Sequence, residues 1–255
     1  VVDCKTHGGV VVDIDLPGLQ NRLAEEVATA ACGKPVAAVL FNGRPLAISR
    51  LNKAVPAILE AWFPGIMGGQ AVVETLFGDT SPSGKLVMSF PRHAGQIPIY
   101  YSAKNTGRPI SKDKYTSKYL DCPNTPLFAF GHGLSYTTFS YGPLRLSAAE
   151  MPMNGEITAS ITVTNTGNQA GKEVVQLYLR DLVACVTRPL KELKGFKKIS
   201  LEPGAAAEVK FTITPAELTF VGPDLEMLIE PGEFEVMIGG SSSVTDGQRF
   251  TLLPK

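Results

Sequence analysis

The sequence predicts an α/β layer followed by an antiparallel β-sandwich, and three features of its 255 residues carry that prediction. Short apolar runs alternate with helical patterns over residues 1–91, a polar stretch without sustained period fills residues 92–141, and residues 142–255 hold six short alternating runs. Alternating helix and strand signals imply a parallel sheet with crossovers, whereas regularly spaced strands between turn residues imply a sandwich.

The elements follow in order. After Pro17-Gly18, the segment LQNRLAEEVATAAC places Leu19, Leu23 and Val27 on one face of a helix that Gly33 and Pro35 stop. VAAVLF (36–41) is short and continuously apolar, as a buried parallel strand should be. Asn42-Gly43-Arg44-Pro45 turns the chain, and AILEAWF (57–63) reads as a second buried strand ended by Pro64-Gly65. GGQAVVETLFG gives a helix closing at Gly78, and KLVMSF (85–90) a further strand ended by Pro91, completing a strand, crossover helix and strand. The stretch 92–141 is too long for an ordinary connection and is expected to pack as an extended arm. ITASITVTNTG, EVVQLYLRD, LKGFKKISL, AAEVKFTIT, GEFEVMIGG and QRFTLL then alternate between Gly, Pro and Asn turns, with the boundary at Thr138 to Gly142.

Composition narrows the function. Lys plus Arg and Asp plus Glu number 24 each, which favours a neutral partner over nucleic acid or an anionic membrane. No apolar run reaches bilayer length, and no sequon for N-glycosylation occurs. Cys4, Cys32, Cys122 and Cys185 form no CxxC pair, which argues against zinc; unpaired buried thiols are the preferred reading over two disulfides.

Single motifs yield little chemistry. GIMGGQ (65–70) precedes a helix but lacks the Lys-Ser/Thr of a P-loop, so a close-packed turn fits better than a nucleotide site. GHGLS (131–135) does not match GxSxG and reads as a tight turn. His93 and His132 lie too far apart in sequence to be read as a metal pair. Trp62 and Phe63 belong to an apolar run and are expected in the core, which leaves Tyr100-Tyr101 as the better sugar-stacking surface. Asn165-Thr166-Gly167 needs only a turn explanation. No two carboxylates are paired by spacing, and such pairs are defined in space rather than along the chain.

Taken together, DIDLPGLQ, GKPVAAVLFNGRPLAI, AILEAWFPGIMGGQAVVETLFGDTSPSGKLVMSFPR, GQIPIYY, NTGRP, FAFGHGLSYTTFSY, VTNTGNQAGKEVVQLYL and RPLKELKGFKKISLEPG carry a specific likeness. They resemble the C-terminal part of glycoside hydrolase family 3 enzymes, over about Asp13 to Gly240; NTGRP, KYTSKYLD and QIPIYY are most similar to the bacterial periplasmic β-glucosidase branch. The resemblance implies part of an α/β sandwich domain (1–91), a connecting arm (92–141) and a fibronectin type III-like domain (142–255). It implies a retaining enzyme acting on terminal non-reducing β-D-glucosyl residues, sometimes xylosides, with no cofactor or metal. Its Asp nucleophile comes from an N-terminal (β/α)8 barrel, and its Glu acid/base comes from the α/β sandwich.

In relatives that Glu lies shortly before the DLPG turn and is followed by an Arg; here His7 and Val11 stand at those places. No catalytic residue is therefore assigned to this chain, and VVDCKTHGGVVV reads as the ragged edge of a truncated segment. Asp3, Asp13 and Asp15 are the remaining nearby carboxylates, with Asp15 expected to cap the following turn and helix. The implied partners are a β-glucoside or oligosaccharide and the missing barrel, with a homodimer allowed and a periplasmic or secreted setting. The competing reading is a non-catalytic module that binds carbohydrate or protein, which an exposed aromatic row on the sandwich would support.

Overall fold

A computed structural model describes the backbone of Val2–Asp3 and residues 12–255. The chain forms two compact units, one of residues 1–80, 88–99 and 119–128 and the other of 81–87, 100–118 and 129–255. The stretch 92–141 is thus shared between them.

The first unit is built on a parallel sheet. Strand β1 (Val2–Asp3), helix α1 (Gln20–Ala30), strand β2 (Ala37–Phe41), helix α2 (Ser49–Ala54), strand β3 (Ala57–Glu60) and helix α3 (Gly68–Phe77) follow in order. The sheet order is β1-β2-β3, with Val2 beside Leu40 and Ala37 to Leu40 beside Ala57 to Glu60. The continuous apolar run of β2 buries Ala38, Val39 and Leu40, as a central parallel strand requires. The crossover between β2 and β3 is α2, whose Leu51 is fully buried. Helix α3 ends where predicted: Gly78 takes φ +88° and its N–H bonds to Thr75 O at 3.2 Å, the left-handed stop that glycine adopts without a Cβ penalty.

Three expectations are corrected. KLVMSF forms no strand; the chain bends at Val87-Met88, whose side chains are exposed, and only Phe90 bridges to Phe128. The bend divides the segment, so Leu86 bonds to His132 O while Phe90 bonds to Phe128 O, both at 2.8 Å. Asp15 does not cap α1: the helix N-cap is Leu19 without a side-chain bond, and Asp15 N–H instead bonds to Asp13 Oδ1 at 3.0 Å. The thiols of Cys32 and Cys185 are free but exposed rather than buried, and Cys122 is half-buried.

The second unit is a two-sheet sandwich, antiparallel except for one short parallel pair, Glu150–Met151 beside Thr251–Leu252. Strands β4 (Phe139–Tyr141), β5 (Arg145–Leu146), β6 (Glu150–Met151), β7 (Ile157–Asn165), β8 (Gly171–Asp181), β9 (Glu192–Leu201) and β10 (Ala206–Ile213) are followed by helix α4 (Pro215–Leu218). Strands β11 (Phe220–Val221), β12 (Met227–Leu228), β13 (Gly232–Gly239) and β14 (Gly247–Leu252) complete it. One sheet runs β10-β7-β4, with β5 also on β7; the other runs β6-β14-β13-β8-β9. Each of the six alternating sequence runs lies on a strand. Alternation in β7 turns Ile157, Ala159, Ile161 and Val163 onto a core shared with Leu177, Ile213, Phe234 and Phe250. Each such fully buried aliphatic side chain contributes about 2 kcal/mol. Strand β8 departs from alternation because both its faces are covered: Val175 to Leu179 are all buried, and Tyr178 meets Tyr101 with ring centroids 5.8 Å apart.

Candidate functional site

Parallel strands deliver their C-terminal ends to one edge of a sheet, where open α/β folds place their ligand crevices. In the first unit that edge carries Asn42, directly after β2, and Glu60, at the end of β3. Glu60 lies beside Leu40 in register, and the period of two puts Leu40, Asn42 and Glu60 on one face. The two turns that follow the strands meet there. Gly43 lies under the ring of Phe63, so that a Cβ at Gly43 would stand 2.7 Å from Phe63 Cε2. Trp62 adopts φ +49°, a left-handed conformation rare for a bulky residue, and its indole lies 5.9 Å from the Phe90 ring.

Glu60 organises this turn. Its Oε1 accepts the Trp62 backbone N–H at 3.1 Å, while Oε2 is buried with no hydrogen-bond partner. Asn42 is 2% exposed; its Nδ2 donates to Arg44 O at 2.8 Å and its Oδ1 is likewise buried without a partner. Burial raises the Glu60 carboxyl to about 7, against the opposing pull of the Trp62 N–H and the Asn42 amide, which favour the ion. The arrangement is a carboxyl that holds a proton near neutral pH beside a strained turn.

The residues singled out in the sequence fall elsewhere. His7, Val11 and Cys4 lie outside the described residues, as does the Asp3 side chain. Asp13 and Asp15 are exposed, and Asp13 O accepts Arg44 Nη2 at 2.6 Å. Phe63 is 77% exposed rather than in the core, and Trp62 is half-buried. Tyr101 is a packing residue, stacked 4.3 Å from Phe130, whereas Tyr100 is exposed. GIMGGQ is a turn leading into α3, with Gly68 N–H on Gly65 O at 3.2 Å, but it is open rather than close-packed: Ile66 and Met67 are exposed, and a Cβ at Gly65 or Gly69 would meet nothing within 4 Å. His132 sits in the GHGLS turn with its N–H on Ala129 O at 3.0 Å, and burial followed by the charge of Lys85 depresses its pKa. Among the described residues no group of three or more His, Cys, Asp or Glu is arranged to hold a metal.

The sandwich unit has its own polar features. A cavity of about 320 Å³ lies inside the loop after β8, lined by Arg180, Asp181, Cys185 and Arg188 among others. Arg188 faces Asp181 at 3.7 Å and Glu192 at 2.6 Å, so its charge is already neutralised. Burial pushes the Asp181 carboxyl up despite Arg188. Asn42 and Glu60 were missed as a site in the sequence, although an acid inside the apolar run AILEAWF was the available signal.

With this geometry in view, the comparisons decide the lineage. Residues 8–136 match the glycosyl hydrolase family 3 C-terminal domain, and residues 173–242 match the fibronectin type III-like domain. The chain belongs to glycosyl hydrolase family 3. It is similar to a periplasmic beta-glucosidase of Salmonella typhimurium, 48% identical over 94% of this chain and 32% of that protein. A beta-xylosidase of Formosa agariphila is 45% identical over 98% of this chain and 34% of its own length. The crystal structure of a beta-glucosidase from Listeria innocua in complex with isofagomine superposes with TM-score 0.90 at 40% identity, covering 97% of this chain and 35% of that one. The chain therefore spans about a third of the length of these family 3 relatives. The α/β layer and the sandwich are the two domain types that the family assigns to this portion.

Proposed function

We propose that this chain is the C-terminal portion of a retaining β-glucosidase that removes terminal non-reducing β-D-glucosyl residues. In that reading it supplies walls and domain contacts, while a (β/α)8 barrel outside these 255 residues supplies the nucleophile. One observation carries the proposal: 97% of the chain superposes on 35% of the Listeria β-glucosidase. The Salmonella relative supports a periplasmic setting, and the Formosa relative makes β-xylosides the alternative substrate. Domain limits of 1–91, 92–141 and 142–255 and the absence of a catalytic residue in this chain belong to the same proposal.

The test is hydrolysis of an aryl β-glucoside and an aryl β-xyloside. The purified chain is expected to be inactive, and activity is expected to appear when a family 3 barrel is added. Turnover by residues 1–255 alone would overturn the assignment of the nucleophile to a segment outside them.

A further inference from the structure

The strained turn after β3 displays an aromatic side chain that the fold leaves bare. Trp62 stays at φ +49° because its N–H is held by Glu60 Oε1 at 3.1 Å and its indole lies 5.9 Å from the Phe90 ring. Strain of this kind persists only where the surroundings impose it, and it gathers at ligand clamps. Phe63 is then fixed from both sides, since Trp62 precedes it in that conformation and Pro64 confines the residue before it to extended backbone. Its ring rests against Gly43, where a Cβ would stand 2.7 Å from Cε2 and 3.0 Å from Cζ, yet the residue is 77% exposed. A ring so placed adds nothing to the core, while its broad surface is already ordered for a ligand.

Gly43 and Phe63 follow the C-terminal ends of β2 and β3, the edge at which open α/β sheets bind ligands. The same edge carries polar groups: Arg44 follows Gly43, its Nη2 donates to Asp13 O at 2.6 Å, and the Asp13 and Asp15 side chains are exposed. An apolar ring on an edge with hydrogen-bonding groups suits a pyranose, which has one face of axial C–H groups and a rim of hydroxyls.

We propose that Phe63 is a stacking platform for a sugar ring of a β-linked glucoside, contributed by this chain to the wall of the substrate site. The inference rests on the β-glucosidase reading for its ligand and on the geometry around Trp62 and Gly43 for its residue. The stacking surface thereby moves from Tyr100, where the sequence placed it, to the ring that the turn holds rigid. Ile66 and Met67, exposed on the next turn, offer no flat face, and a protein partner on this edge is the competing outcome.

Saturation-transfer NMR on the 255-residue chain with cellobiose tests the proposal. Irradiating the aromatic protons should transfer saturation to the axial protons of one glucose face, whereas mannitol, an open-chain polyol without such a face, should receive none. Phe63→Leu keeps the apolar bulk but loses the flat ring, and should raise the half-saturating cellobiose concentration roughly fivefold. Phe63→Tyr should behave as the parent, and so should Tyr100→Leu and Tyr115→Leu at two other exposed rings. No transfer in the parent, equal transfer to mannitol, or an unchanged titration in Phe63→Leu would each overturn the proposal. If Phe63→Leu bound cellobiose normally but no longer captured a family 3 barrel, the edge would be a protein interface and the proposal would fall. The readout is binding and not turnover, so a barrel that never confers hydrolysis would refute the glucosidase reading while transfer from Phe63 still stood.

Discussion

Removing the Asn165 amide would strand four partners at once. Asn165 is fully buried; its Oδ1 accepts Thr137 Oγ1 at 2.6 Å and Gly167 N–H at 3.1 Å, and its Nδ2 donates to Gln169 O at 2.8 Å and Leu201 O at 3.0 Å. Asn165→Ala is expected to cost about 3 kcal/mol in urea unfolding, because buried groups are left unpaired. Lys85 and Glu173 make a comparable knot: their side chains are 14% and 6% exposed, 3.0 Å apart, and Tyr141 OH donates to Glu173 Oε1 at 2.8 Å. Burial, reinforced by this contact with Glu173, holds the Tyr141 hydroxyl well above its usual range. Lys85→Met should destabilise by about 3 kcal/mol, since it leaves a buried charge without its counterion. Glu60 contributes with the opposite pH sense to most carboxylates. Its folded value of about 7 lies above the 4.5 of a free glutamate, so its contribution is full below 4.5 and is lost as pH rises from there through 7. Thermal melts of Glu60→Gln against the parent should therefore converge in acid, with the parent falling progressively behind between about pH 4.5 and 7 and staying behind above that. Little of this was legible in the sequence. Asn165 looked like an ordinary turn residue, because its four partners come from segments as much as 36 positions away. Glu60 stood out as an acid in an apolar run, but its burial depends on Asn42 and Trp62 meeting in space.

Elements were more legible where one segment decided its own fate. Helix α3 and its Gly78 stop were readable because glycine alone takes φ +88° freely. Gly78→Ala should cost about 1 kcal/mol, measured by denaturant unfolding. The six sandwich strands were readable because alternation and turn residues agree over short distances. Failures came where a partner decides. KLVMSF has the composition of a strand, yet no neighbour pairs along its length, and α2 is too short to show a helical period. Helix α1 formed with its predicted face, but Leu19, Leu23 and Val27 are 74%, 57% and 45% exposed, and none of its residues is buried. An apolar stripe predicts a helix; only the rest of the fold decides what covers it.

At the scale of the whole molecule, the basic segment from Lys104 to Lys118 is exposed over most of its length, and its bonds are mainly local, such as Lys118 Nζ to Asp113 O at 2.7 Å. Brief trypsin treatment should cut first at Lys112 and Lys114, read by mass spectrometry, ahead of sites in the sandwich strands. Order along the chain conveyed the two kinds of architecture but not their interleaving, since no local pattern marks where a backbone changes allegiance. The backbone passes from one unit to the other at 80/81, 87/88, 99/100, 118/119 and 128/129. Two bodies stitched together in this way are not interchangeable cassettes. A chimera spliced at a single junction would carry a sandwich without its Lys85 clasp, or an α/β layer without the Phe128 edge that Phe90 leans on. Recombination within this lineage, natural or engineered, must therefore exchange the interwoven stretch 81–128 as one inheritance.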